Sequence, residues 1–277
     1  MTIAILALVT LLEGIRRVPR GSLLLRRVLF GAWRVRPAPP AMTDDSLQLL
    51  SWWSPIVSTV ILRPPRAETS PKPKAWKVGP VRARLEQHRQ TLLDLRVLGL
   101  AALLGLVVGI PLAIDRMGAQ GFFFALGLLG VICFFVCERM YAAARAMDKT
   151  RKAAFSWVIG SFSPFAAPRA AEVLLEELVR DIPPGLVARV LLPFAEFLAW
   201  VRPHAYDSSQ GAPADARFLA GLDPAELKQS LAPPDPAVAI GGQRWCPRCG
   251  ATFVEADACS DCGIALLPFQ HSELVRS

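Results

Sequence analysis

Two cysteine pairs near the C-terminus are the residues whose type and spacing declare a chemistry: Cys246-Pro247-Arg248-Cys249-Gly250 and Cys259-Ser260-Asp261-Cys262-Gly263. Two thiolates separated by two residues grip one ion from a single tight turn, and two such turns supply the four ligands of a tetrahedral site. The glycine after each pair allows the positive φ with which the turn curls around sulfur and aims its amides inward. A structural Zn²⁺ is therefore expected on Cys246, Cys249, Cys259 and Cys262, with redox-active dithiols as the lesser alternative. Four thiolates on Zn²⁺ leave a charge of about −2, which Arg244 and Arg248 could offset.

These knuckles resemble the zinc-ribbon family in its short prokaryotic form, with its CPxCG and CxxCG signatures. The resemblance covers residues 245–267 only and implies two small β-hairpins around zinc, with no activity implied for the rest. Rubredoxins share the knuckles and hold iron, but their two pairs lie much farther apart. The nine-residue gap between Cys249 and Cys259 places iron second.

Other candidate residues carry less. Cys133 and Cys137 stand one helical turn apart in an apolar run, where packing is the expected role. His88, His204 and His271 are scattered and read as surface residues. A His204/Asp207 dyad would lack a nucleophile, and no Walker, Rossmann or GxSxG pattern occurs. Glu172, Glu176 and Glu177 form an acidic helix face that reads as solvated.

The chain that carries the cysteines has 277 residues and is 53% hydrophobic and only 19% charged, a balance that calls for a membrane component. Residues 97–114 contain no charge and suffice to cross a hydrocarbon core of roughly 30 Å, and residues 121–137 form a second apolar run. The short connection holding Asp115, Arg116 and Gly118 makes the two spans antiparallel neighbours. Gly105, Gly109, Gly127 and Gly130 offer small surfaces for close approach. Arg82, Arg84, Arg89 and Arg96 precede this hairpin and Arg139, Arg145, Lys149, Arg151 and Lys152 follow it, so both termini are expected in the cytoplasm. Reduced thiols fit that compartment. The net charge of +8 crowds near the apolar runs, which favours anionic lipid over nucleic acid as its partner. An excess of Arg over Lys, with abundant Ala, Leu and Pro, points to a GC-rich bacterial genome, so the membrane expected is the bacterial inner membrane.

The remainder divides by composition. Residues 1–62 form an N-terminal amphipathic or interfacial region. Within it, residues 2–12 are apolar but too short to span and lack the marks of a signal peptide, while residues 23–35 read as a basic amphipathic helix, with a short strand as a further possibility. Residues 47–62, with Trp52, Trp53 and Pro55, read as interfacial or re-entrant. Residues 63–80 are a Pro-rich basic linker and 81–162 the hairpin with flanking helices, the last running over 138–162. A cytoplasmic helical region follows over 163–232, with helices at 170–180 and 186–201 and a capped helix from Asp223, where Glu226 completes a capping box. Residues 233–242 link it to the ribbon at 243–269.

The fold class expected is thus a mainly α membrane protein with a two-helix transmembrane hairpin, cytoplasmic helices and a small β zinc ribbon. With no catalytic set in view, the function expected is a non-catalytic membrane subunit or assembly scaffold that docks other protein subunits. The alternative is a membrane-tethered regulator whose ribbon contacts nucleic acid or a regulatory protein. Glu255, Asp257 and Asp261 beside Arg244 and Arg248 weigh against nucleic acid, and no small-molecule substrate is inferred.

Overall fold

A computed structural model describes residues 15–18, 23–28, 31–36, 46–49, 56–62, 77–159, 163, 165–210, 218–233 and 243–269. The apolar stretch 2–12, most of the two linkers and His271 lie outside the described residues. The described chain is mainly helical and divides into two compact units, one of residues 1–63 and 83–180, the other of residues 64–82 and 181–277.

The first unit opens with strands where the sequence pattern suggests a helix. β1 (Ile15–Val18) pairs antiparallel with β4 (Ser46–Leu49), and a second sheet has the order β3 (Arg34–Arg36), β2 (Leu23–Val28), β5 (Val57–Leu62). The amphipathic helix expected over 23–35 is therefore replaced by β2 and β3, and the interfacial segment expected over 47–62 by β4 and β5. The physical reason is burial on both faces. Leu23, Leu24 and Leu25 are consecutive and all buried, as are Ser58 through Leu62, so the period-two alternation that signals a strand is missing.

Next come α1 (Val78–Gln87) and a long helical run made of α2 (Arg89–Leu104), one π turn (Gly105–Gly109) and α3 (Ile110–Ala146). By length and composition this run is apolar enough to cross a membrane. It breaks at Gly118, whose φ of 58° and ψ of −137° lie outside helical space. Residues on either side of the break meet: Arg139 Nε lies 3.6 Å from Asp94 Oδ2, a pair that unbroken helix would hold more than about 60 Å apart. The turn is tight enough that a Cβ on Gly121 would sit 2.0 Å from the carbonyl oxygen of Ala113. Gly105 faces Leu129, whereas Gly127 and Gly130 have open space where close packing was expected.

The helix expected over 138–162 is two: α3 ends at Ala146, Asp148 takes a φ of 59°, and α4 (Arg151–Ile159) restarts. α5 (Ala170–Leu178) then lies along β5. As the edge strand of its sheet, β5 has outward N–H groups to satisfy. Glu172 accepts from Thr59 N at 3.0 Å and Glu176 from Ile61 N at 3.2 Å. Two strand residues advance about 6.8 Å and four helix residues about 6 Å, so the i,i+4 carboxylates match the i,i+2 amides. The acidic face expected to be solvated is thus a strand cap, and its third member, Glu177, meets Lys149 at 2.6 Å.

In the second unit the helix expected over 186–201 is divided at Leu192 and Pro193 into α6 (Pro184–Leu191) and α7 (Phe194–Ser209). α8 (Pro224–Leu231) begins as expected, with Asp223 accepting from Ala225 N at 2.9 Å. The capping box does not close: Glu226 Oε1 takes Arg189 at 2.6 Å and its Oε2 has no partner.

Candidate metal centre

The two knuckles hang on a three-stranded antiparallel sheet of order β7 (Thr252–Val254), β6 (Gln243–Trp245), β8 (Leu267–Pro268). The strand following the second knuckle pairs back onto β6, so the two hairpins implied by the ribbon resemblance share one sheet. A lone bridge between Ala258 and Ala265 flanks the second knuckle.

Both knuckles fold the same way. Gly250 N donates to the Cys246 carbonyl and Gly263 N to the Cys259 carbonyl, each at 2.8 Å, while Cys246 N and Cys259 N donate to Ala251 and Ile264 carbonyls. Gly250 and Gly263 take φ values of 79° and 69°, the positive values expected from their place after each pair.

The four sulfurs of Cys246, Cys249, Cys259 and Cys262 all lie within 4.8 Å of one another and could hold a metal ion. Cys249 Sγ and Cys259 Sγ are 3.7 Å apart, against about 3.8 Å for the edge of a tetrahedron with metal–sulfur bonds of about 2.3 Å. Cys246 and Cys259 are buried and Cys249 is exposed, so the cluster has one open side. The donor set and its size are consistent with zinc.

Four thiols this close cannot all ionise alone. Burial pushes the Cys262 thiol up to about 12, helped by the neighbouring sulfurs of Cys249 and Cys259, and burial also raises Cys249. At Cys259 burial acts upward too, yet the amides of Cys262 and Asp261 and the sulfurs of Cys249 and Cys246 outweigh it and lower the thiol. A divalent cation supplies the charge that lets all four act as thiolates.

The two cations expected at the cysteines also engage carboxylates. Arg244 pairs with Asp257, and Arg248 Nη2 reaches Asp207 Oδ2 at 2.8 Å. A third cation, Arg202 on α7, also stands at the first knuckle. Its Nε is 3.2 Å from where a Cβ on Gly250 would be, and its guanidinium stands over the Trp245 ring at 5.8 Å. Burial lowers its pKa while the charges of Cys249 and Cys246 act to raise it. Its Nη1 is buried without a hydrogen-bond partner. One signal could have found it: a cation on an apolar helix, beside Phe197 and Val201, must meet a negative group.

The remaining candidates are dispersed. Asp207 holds Arg248, and the His204 ring lies 5.0 Å from Trp200 and 5.2 Å from Phe218. His88, read as a surface residue, is buried at the start of α2. Cys133 is buried and Cys137 half-buried on α3. Comparison with protein-family profiles, curated proteins and solved structures gives no match to this chain.

Proposed function

We propose that this protein is a non-catalytic subunit or assembly factor of the bacterial inner membrane. Residues 97–114 and 121–137 cross the bilayer as a hairpin, both termini are cytoplasmic, and a zinc ribbon with its neighbouring helices docks protein partners. The observation that carries this reading is the outward surface of the long helical run. Val97, Val107, Val108, Leu112, Phe123, Phe124, Val131 and Phe134 are exposed, with Phe124 at 69%, and water would not tolerate a surface of that extent. Hydrocarbon would cover it at no cost in polar groups, because the helix satisfies its own backbone.

Charge supports the orientation. Arg82, Arg84, Arg89 and Arg96 lie at one end of the run and Arg139, Arg145, Lys149, Arg151 and Lys152 at the other, with the Asp94 and Arg139 contact joining the two ends on one side. For the ribbon, protein docking is favoured over nucleic acid because its cations are engaged: Arg244 by Asp257, Arg248 by Asp207 and Arg202 by the knuckle. Alkaline carbonate washing of membranes tests the anchor, and affinity purification of the intact protein in mild detergent tests the partners. Defined stoichiometric partners, lost in the Cys262→Ser variant, are the expected result. A protein that purifies alone with or without its cysteines would contradict the docking role.

A further inference from the structure

In the first unit, two guanidiniums share one indole. Arg27 on β2 stands 5.9 Å from the Trp33 ring centre and Arg96 on α2 stands 5.8 Å from it. Trp33 is buried, so both cations are held partly out of water. Burial lowers the pKa of Arg27, and Arg27 and Arg96 repel each other.

Stacking does not discharge this arrangement. A guanidinium meets an aromatic ring with its face, while its five N–H donors lie in the plane and still need acceptors. Arg27 Nε and Arg96 Nε are both buried and donate to nothing among the described residues. Neither has an ion-pair partner there. The carboxylate that influences Arg96 is that of Glu172, but its Oε1 accepts from Thr59 N and its Oε2 faces Arg169 Nε at 3.4 Å. Glu176 is likewise on Ile61 N. Among the described residues of this cluster, Arg27, Arg96 and Arg169 stand against Glu172 and Glu176, and an anion would neutralise the remaining positive charge.

We propose that Arg27, Arg96 and Trp33 form a binding site for an oxyanion of the phosphate class. Phosphate oxygens offer several acceptors around one centre, which suits two forked donors better than a single carboxylate does. Arg96 immediately precedes the first span, whose uncharged residues begin at Val97, and a Trp beside arginines is the composition of the headgroup level. The ligand is therefore a phosphodiester of an anionic lipid headgroup or free phosphate. The headgroup source rests on the membrane reading above, whereas the site itself rests on the three side chains.

The test uses the full chain in a neutral detergent, titrated calorimetrically with inorganic phosphate against chloride at matched ionic strength, and then with phosphatidylglycerol against phosphatidylcholine vesicles. Arg27→Gln and Arg96→Gln should each weaken phosphate-class binding by about tenfold or more, the worth of a charge-assisted hydrogen bond. Lys228→Gln, at an exposed cation on α8 outside the cluster, should leave it unchanged. Loss of both phosphatidylglycerol and phosphate binding assigns the headgroup; loss of phosphate binding alone, with phosphatidylglycerol never preferred, assigns the free anion. Should Arg96→Gln lose helix content, Arg96→Lys keeps the charge without the fork and is expected to bind less tightly than the native chain while staying folded. Equal binding by the native chain and both arginine variants, or an equal loss in Lys228→Gln, would overturn the proposal. Carbonate washing of the same variants keeps this failure separate from that of the membrane reading.

Discussion

The carboxylate of Glu172 on α5 accepts a hydrogen bond from the backbone amide of Thr59 on β5, at 3.0 Å and out of contact with water. One side chain closes the open edge of a sheet and also meets Arg169, whose Nε is 3.4 Å from its second oxygen. Removing it strands a buried amide and a nearly buried guanidinium together. Glu172→Ala should therefore destabilise the first unit by about 2–4 kcal/mol, and Glu176→Ala by about 1 kcal/mol. Chemical denaturation of the detergent-solubilised protein, followed by hydrogen exchange of β5, measures both. Equal and negligible effects would show that the edge is satisfied some other way.

A second expectation concerns pH. Burial, with the nearby charge of Arg84, holds His88 below its ordinary value of 6.5. The unfolded chain thus binds this proton more tightly than the folded one. The stability His88 contributes is complete above the unfolded value and is lost as pH falls toward the depressed one. Melting temperature should drop between about pH 7 and pH 5, and His88→Asn should flatten that part of the profile. A native profile that rises on acidification would contradict it.

Arg202 gives the third. As the cation beside Cys246 and Cys249, it should raise the metal affinity of the centre without touching the metal. Arg202→Gln should weaken zinc binding by about tenfold in chelator competition, with Arg202→Lys recovering part of the loss. The Arg248→Gln variant, whose partner is Asp207, should change the affinity less. The reverse order would return the role to the residue the spacing first suggests.

Orientation is testable at three positions. Single cysteines at Ser22, Ala119 and Ser272, with the native thiols masked, should react with a membrane-impermeant reagent in intact cells only at position 119. Labelling at 272 would invert the hairpin, and labelling at 22 would require another crossing before Val97.

What could be read from sequence was what is local. The clustering of the four cysteines, the turn glycines and the Asp223 cap each depend on residues within a few positions, and the structure brings them together as the spacing implies. The apolar run was equally plain, since length and absence of charge suffice to reveal it. The N-terminal sheet was hidden because Leu23–Leu24–Leu25 and Ser58 to Leu62 are buried on both sides and show neither helical nor alternating period. The roles of Glu172 and Arg202 are not legible in sequence because their partners, Thr59 and the knuckle cysteines, lie far away along the chain. No local pattern encodes such pairs.

A membrane-anchored chain carrying a four-thiolate metal centre is checked by the metal content of protein recovered from carbonate-washed membranes. The chain is expected to stay in the washed pellet with one zinc per chain, and Cys262→Ser to stay in the pellet without it. Release of the native chain into the wash, or a pelleted native chain with neither zinc nor iron, would contradict it.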